Sequence, residues 1–178
     1  MFAPHTWLSK FSVRPLWETA YDLAQDAELL RVRRYGMIEI VDGELVRIVL
    51  RPWPKMISLP EIWWLGNTHH EQAAGDRCRL YYNQPLGSSN FLAAKYVVSS
   101  RKATYRSLRR ATQVLDEIAR IKQSDAIVCE LSNLRLSDRF AKRWGWERHC
   151  LSSPRRHFIK RFYGVYPAAN TTKQTVDC

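Results

Sequence analysis

The chain has few of the features that mark secreted, metal-binding or membrane-spanning proteins. Its cysteines number four and show no pair at a metal or redox spacing: Cys78, Cys129, Cys150 and Cys178. No apolar run approaches the roughly eighteen residues that a membrane span requires. The first residues, Met1–His5, lack the charged-then-apolar layout of a signal peptide. We therefore expect a cytoplasmic protein, with reduced thiols and no membrane segment.

Acidic residues are also scarce, with 17 Asp and Glu against 28 Lys and Arg and a net charge of +11. Arg outnumbers Lys 20 to 8, and the guanidinium fork suits phosphate. The local cluster between residues 101 and 110 contains no acid and holds Arg101, Lys102, Arg106, Arg109 and Arg110. Such charge indicates an anionic partner, although a basic surface can also serve only solubility and weak attraction to polyanions.

A central stretch of the sequence organises the predicted fold. Phe91–Val98 is apolar, aromatic and β-branched, which predicts a strand, and Ala126–Cys129 predicts a second, buried strand. Apolar residues at helical spacing from Leu108 to Ile118 predict an amphipathic helix between them. Strand, helix and strand imply a right-handed parallel crossover. The helix N-terminus and the arginines would then meet at the end of the first strand, where a phosphate is favoured.

The first third of the chain contains a helical pattern and a hairpin signal. Apolar residues recur at helical spacing over Leu16–Arg33, which predicts a helix. Two β-rich runs, Tyr35–Val41 and Glu44–Leu50, flank the dipeptide Asp42-Gly43. A DG dipeptide in this setting strongly predicts a two-residue hairpin turn.

Further along, Arg79–Tyr82 predicts another strand, and the runs 146–150 and 157–163 predict a closing antiparallel pair. A second amphipathic pattern begins at Asn133 and ends at Gly145, a C-terminal glycine signal. We expect one domain over residues 1–166, with residues 167–178 forming a polar, disordered tail.

Two motifs resemble those of the GNAT superfamily of N-acetyltransferases. The helix after Asn133, which ends in Arg-Trp-Gly-Trp-Glu at 143–147, resembles the end of the family's fourth helix. Arg106–Ala111 is similar to the family's phosphate turn, Arg/Gln-x-x-Gly-x-Gly/Ala. The order of elements also agrees, so that the resemblance covers roughly residues 10–166.

The resemblance implies a mixed α/β fold with a mostly antiparallel central sheet, flanked by helices and splayed between strands 91–98 and 126–130. It implies acetyl-CoA, or another acyl-CoA, as cofactor. The pantetheine would pair with the strand at about Tyr96–Ser99 and the pyrophosphate would bind the following turn. The implied cofactor-binding residues are Val98, Ser99, Arg101, Arg106, Arg109, Arg110, Ala111 and Asn133.

The sequence departs from the family pattern at two positions. Arg109 replaces the first motif glycine, where a side chain can block close approach to a phosphate. Ala141 stands where the family has a tyrosine acid, four residues before Gly145. Alanine cannot protonate a leaving thiolate, so either another group or solvent serves as the acid, or no acyl group is transferred.

The candidate catalytic residues are Glu130 and Tyr105. Glu130 follows the second strand and could take a proton from an acceptor ammonium, directly or through water; its alternative role is to pair with an arginine. Tyr105 is the nearest replacement acid to the phosphate turn. The backbone N–H near Val98 would polarise the thioester. His69-His70-Glu71 has no third ligand at a recognised spacing, so we expect no metal site.

The predicted function is a CoA-dependent N-acyltransferase that transfers acetyl from acetyl-CoA to an unidentified small-molecule or peptide amine by direct attack. The alternative is a catalytically silent protein of the same fold that binds an anionic partner such as nucleic acid. A third alternative is a protein-interaction subunit with exposed tryptophans as anchors. Nucleic acid would engage a wide basic surface with strong salt dependence, whereas CoA needs only the turn arginines.

Overall fold

The computed structural model describes residues 15–54, 75–131 and 137–167, except for the side chain of Phe140. The described strands are β1 (Glu18–Ala20), β2 (Tyr35–Val41), β3 (Glu44–Arg51), β4 (Arg77–Asn83), β5 (Phe91–Ser99), β6 (Ala126–Glu130), β7 (Glu147–His149) and β8 (His157–Arg161). The described helices are α1 (Ala27–Val32), α2 (Tyr105–Ile121) and α3 (Asp138–Arg143). None of these helices is long and apolar enough to cross a membrane.

All eight described strands form one sheet, in the order β1-β3-β2-β4-β5-β6-β8-β7. Every described neighbouring pair is antiparallel except β5 and β6, which run parallel and are joined by α2. Their pairing covers four positions, from Phe91 opposite Ala126 to Ala94 opposite Cys129. Beyond Ala94, β5 continues to Ser99 in register with β4. The predicted fold class, a mixed α/β protein with a mostly antiparallel, splayed sheet, is confirmed.

The main hydrophobic core lies between one face of this sheet and α2. Ile38, Leu80 and Ile48 lie opposite one another in register on this face, and all three are buried. α2 contributes its apolar stripe, whose fully buried residues are Ala111, Val114, Leu115, Ile118 and Ala119. Because these positions are three and four residues apart, they face the same side of the helix. The amphipathic helix predicted here is confirmed, and it begins earlier than its apolar stripe.

A glycine on β2 makes room for a large aromatic ring in the core. Gly36 lies opposite Tyr82 of β4, and a Cβ at Gly36 would lie 2.6 Å from atoms of the Tyr82 ring. Tyr82 is fully buried, and burial raises the pKa of its phenol. Its hydroxyl has no hydrogen-bond partner within the described part of the chain. The ring therefore occupies the space that any side chain at Gly36 would need.

The hairpin predicted around Asp42-Gly43 is confirmed. β2 and β3 pair from Tyr35 opposite Arg51 to Val41 opposite Glu44. Asp42 and Gly43 both have positive φ angles, 52° and 82°. This left-handed conformation at both central residues matches the right-handed twist of the flanking strands, and Asp and Gly tolerate it well.

The predicted helix over residues 16–33 is wrong in its first half. Residues 18–20 form β1, which pairs with β3, and the helix covers only Ala27–Val32. The reason is that the side chains of two aspartates in this stretch accept hydrogen bonds from nearby backbone N–H groups. Asp22 accepts from the N–H groups of residues 24 and 25, and Asp26 accepts from those of residues 21 and 22. Such local bonds compete with the helical ladder.

The C-terminal predictions are confirmed where the structure describes them. The closing antiparallel pair is β7 with β8. The described part of the predicted second helix is α3, and Gly145 follows it with a φ of +80°. Asn133, His69-His70-Glu71 and residues 168–178 of the predicted tail lie outside the described residues.

Candidate functional site

The cleft between the diverging ends of β5 and β6 is the candidate site. From Lys95 to Ser99, the side of β5 that faces β6 has no strand partner among the described residues. The register with β4 changes from Tyr96 opposite Tyr81 to Ala94 opposite Tyr82, so that Lys95 is an extra residue. Such a β-bulge bends and twists its strand. The bulge thus coincides with the point where β5 separates from β6.

The turn that follows β5 is fixed to the beginning of β4. Ser100 is buried, and its hydroxyl donates to the carbonyl of Gly75 at 2.7 Å and accepts from the N–H of Arg77 at 3.1 Å. The backbone N–H of Ser100 also donates to the carbonyl of Arg77, at 2.9 Å. These bonds determine the direction in which the chain leaves the cleft edge and enters α2.

The N-terminus of α2 carries a carboxylate from a distant segment. Thr104 is the N-cap, and its hydroxyl accepts from the N–H of Ser107. Asp76 accepts from the Thr104 N–H at 2.9 Å and from its hydroxyl at 2.5 Å. Burial raises the pKa of Asp76, but these hydrogen bonds outweigh it and hold the pKa below its ordinary value. A negative charge at this end also complements the helix dipole.

The arginines of α2 divide between two sides of the helix. Arg106 pairs with Glu44 at 3.4 Å, and its side chain covers Gly43 of the hairpin turn. The N–H of Gly43 donates to the Ser107 hydroxyl at 2.9 Å, which attaches the hairpin to the helix. Arg110 lies one turn after Arg106 on the same side. The structure therefore places both arginines on the hairpin side, away from β6.

The opposite side of α2 faces β6 and the cleft. Asp116, two turns beyond Arg109, accepts from Lys160 of β8 at 2.6 Å, and both side chains are largely buried. Burial of Asp116 raises the pKa of its carboxyl, against the lowering effect of Lys160. The contact between Asp116 and Lys160 turns this side of α2 toward β8, the neighbour of β6. Arg109, and Tyr105 one turn before it, lie on the same side of the helix as Asp116. Tyr105 and Arg109 are exposed on this side of α2, near its N-terminus.

Three cations at this end of the cleft are exposed and form no ion pair with any described residue: Arg101, Lys102 and Arg109. The first turn of α2 contains no acid of its own. Together with the positive end of the helix dipole, these cations can hold an anion. The predicted residues Val98 and Ser99 lie on the open edge of β5, and both are half-buried. Ala111 is fully buried in the core, so its side chain does not reach the cleft.

Glu130 ends β6 at the point where this strand separates from β5. Its side chain is 41% exposed and pairs with Arg155 at 3.5 Å. Of the two roles considered for Glu130, the arginine pair is observed, and the catalytic role stays a prediction.

Another carboxylate, Glu39 of β2, is buried between Arg47 and Arg79. Burial raises its pKa, but the hydrogen bonds from these arginines outweigh it and keep the pKa below its ordinary value.

The register places two histidines in a row with Glu130. His157 of β8 lies opposite Glu130, and His149 of β7 lies opposite His157. Paired residues point to the same face of a sheet, with neighbouring Cβ atoms about 5 Å apart. Sequence reasoning missed these histidines, because the signal is the strand register, which depends on tertiary pairing. His157 is half-buried and His149 is exposed.

The described residues form no metal site, and two of their thiols are unreactive. No three His, Cys, Asp or Glu side chains group as a metal site within these ranges. Burial raises the pKa of Cys78 and of Cys129 to about 12, which leaves their thiols protonated and unreactive. Ala141 is buried in the core beside Trp146, so this residue contributes to packing and supplies no acid. Trp146 is itself a core residue.

Comparison with known proteins gives a faint likeness. No protein-family model matches the sequence, and no curated protein matches it. The chain is similar to a solved structure described as the crystal structure of nourseothricin acetyltransferase, at 12% identity. The alignment covers 83% of this chain and 99% of that chain, with a TM-score of 0.41. Function therefore has to be inferred from the cleft itself.

Proposed function

We propose that the protein is an acyltransferase that uses acetyl-CoA, or another acyl-CoA, to acylate an amine. The observation that supports this most directly is the open edge of β5 over Lys95–Ser99, which leads straight into the N-terminus of α2. An extended, amide-containing chain can pair with such a strand edge. Anionic phosphates can bind at the helix N-terminus that follows. Few classes of ligand combine these two features, and acyl-CoA is one of them.

The charges around the cleft fit the phosphates of such a ligand. Arg101, Lys102 and Arg109 are exposed cations, and guanidinium groups bind phosphate oxygens in a bidentate manner. Asp76 is a carboxylate near the same helix end, but it accepts hydrogen bonds from Thr104 and is close enough to Arg106 to be partly neutralised. The net charge at the cleft edge is therefore positive.

The proposed mechanism assigns each residue one task. Bound acetyl-CoA supplies an activated acetyl group as a thioester. The backbone N–H near Val98 stabilises negative charge on the acyl oxygen. Glu130 accepts a proton from the acceptor ammonium, directly or through water, and so provides the free amine that would displace the thiolate of a bound thioester. Tyr105 on the cleft side of α2 is the proposed proton donor to the leaving thiolate, in place of an acid at Ala141.

Thermal unfolding with and without acetyl-CoA tests this proposal. A cofactor concentration a hundredfold above the dissociation constant should stabilise the native state by about 2.7 kcal/mol. For a chain of this size, that corresponds to a rise in Tm of about 5–10 °C. Arg109→Gln should remove most of the rise. Arg120→Gln makes the same charge change at the other end of α2, where the side chain pairs with Glu117, and should leave the rise intact.

Two results would count against an acyl-CoA site. The first is an absence of any Tm rise at millimolar acetyl-CoA in a folded protein. The second is an equal loss in both variants, since this would indicate nonspecific attraction by the overall positive charge. A Tm rise with a single-stranded oligonucleotide instead, with steep salt dependence, would favour the alternative function of a nucleic-acid-binding protein.

A further inference from the structure

One anionic and one cationic side chain lie at the end of β6, where this strand separates from β5. Glu130 is the last residue of the strand, and Arg155 precedes β8, which pairs with β6. Both side chains are accessible, with 41% of Glu130 and 71% of Arg155 exposed. Glu130 lies opposite His157 in register. Glu130 follows Cys129, the last residue of β6 that pairs with β5, so it lies where the two strands begin to separate, next to the proposed path of the acyl group.

The Glu130–Arg155 contact is longer than two other ion pairs formed by arginines of the same segment. Its single contact is 3.5 Å, whereas Arg161 approaches Glu147 at 2.9 Å and Arg156 approaches Asp138 at 2.5 Å. An exposed ion pair of this kind contributes little to the stability of the fold. Opening it therefore costs little, and each charge keeps its remaining hydrogen-bonding capacity for another partner.

The charges of the pair restrict the kind of molecule that can replace it. A simple amine would bind Glu130 and leave Arg155 without its partner, and a simple carboxylate would do the reverse. A molecule that carries an ammonium and a carboxylate on neighbouring atoms satisfies both side chains at once. Because each new contact is a charge-assisted hydrogen bond, it is stronger than a neutral one.

We propose that the acceptor is an α-amino acid, or a similar amine with an adjacent carboxylate, bound between Glu130 and Arg155. The inference rests on the proposed acyltransferase function and names the substrate class of that site. Arg155 binds the acceptor carboxylate, which positions the amine at Glu130. The amine loses its proton to Glu130 or to the neighbouring His157, forms the new bond to the acyl carbon, and the thiolate leaves as the carbon–sulfur bond breaks.

The test measures release of free CoA thiol from acetyl-CoA in the presence of the common α-amino acids. The best acceptor is then compared with its carboxamide, which keeps the amine and removes the negative charge. A charge-assisted hydrogen bond to Arg155 predicts a kcat/KM at least about tenfold higher for the acid than for the amide. Arg155→Gln should abolish this preference by lowering the value for the acid alone.

Arg161→Gln is the matched control. Arg161 lies at the other end of β8, opposite Ala126, and pairs with Glu147 at 2.9 Å. Its loss should leave the acid–amide preference unchanged. Thermal unfolding of each variant without ligand, and its Tm rise with acetyl-CoA, confirm that the fold and the cofactor site are intact.

Three outcomes overturn the proposal. In the first, acetyl-CoA stabilises the protein but no α-amino acid increases thiol release. In the second, Arg155→Gln lowers the values for acid and amide equally, which indicates a general structural effect. In both cases the acyl-CoA site stands and only the acceptor class is wrong. In the third, acetyl-CoA has no effect on Tm, so that the acyltransferase function itself fails and the acceptor proposal fails with it.

Discussion

Replacement of Tyr82 by Phe should stabilise the protein, although Tyr82 is one of its most deeply buried residues. The Tyr82 hydroxyl is enclosed in the core with no hydrogen-bond partner within the described residues. A buried polar group of this kind loses its bonds to water when the chain folds and gains none in return. Phe keeps the ring that packs against Gly36 and removes the unsatisfied group.

The size of the effect follows from two opposing contributions. Leaving a buried hydroxyl unpaired costs about 1–3 kcal/mol. Removing it opens a space of roughly 15 Å³, which costs about 0.4 kcal/mol at ~24 cal/mol per Å³. The free energy of unfolding should therefore rise by about 0.6–2.6 kcal/mol. For a chain of 178 residues this corresponds to an increase in Tm of about 1–10 °C.

Urea unfolding of the wild type, Tyr82→Phe and a control measures this directly. Tyr163→Phe is the control, because the same atom is removed from a side chain that is 84% exposed; its midpoint should not move. The Tyr82→Phe midpoint should move to higher urea with an unchanged m-value. A lower midpoint would refute the reasoning, since it would mean that the hydroxyl bonds to an ordered water or another group.

Two further substitutions test packing and capping. Gly36→Ala should lower the free energy of unfolding by about 1–3 kcal/mol, because the new Cβ would lie 2.6 Å from the fully buried Tyr82 ring. Urea unfolding measures this loss, and an unchanged midpoint would contradict the close approach of the ring to Gly36. Asp76→Asn should cost about 1–2 kcal/mol at neutral pH, through its weakened hydrogen bonds to Thr104. The pKa of Asp76 is lowered in the folded state, so the unfolded state binds more protons in acid and the stabilisation is lost as pH falls through and below 3.8. Unfolding measured between neutral pH and pH 3 should show the gap between wild type and variant closing; a gap that is constant with pH would indicate that the charge has no role.

The parts of the fold that sequence patterns predicted well are those fixed by local signals. Asp42-Gly43 needs only its own backbone preferences to form a hairpin turn, and the apolar stripe of α2 needs only helical spacing. The predicted helix over residues 16–33 failed because apolar spacing alone ignores the hydrogen-bonding capacity of Asp22 and Asp26. Those two side chains favour a loop, and the residues before them pair with β3 as β1.

The candidate site could be predicted only in outline. The basic cluster after β5 was visible in the sequence, but the division of its arginines between two sides of α2 was not. Arg106 and Arg109 differ only in the part of the fold that their side of the helix faces. That depends on Glu44 and Lys160, which are distant in the chain. The cap by Asp76 depends likewise on a contact over 28 residues. Long-range contacts of this kind have no local signature.

The four paired positions between β5 and β6 divide the sheet into two mechanical units. On one side, β1 to β5 form an antiparallel sheet, and on the other, β6, β8 and β7 form a smaller antiparallel sheet. Each unit satisfies most of its backbone bonds internally, so the angle between them is set by these four positions and by α2, whose Asp116 binds Lys160 of β8. The width of the cleft is then an adjustable dimension, and a few substitutions along Phe91–Ala94 and Ala126–Cys129 could refit it to acceptors of another size.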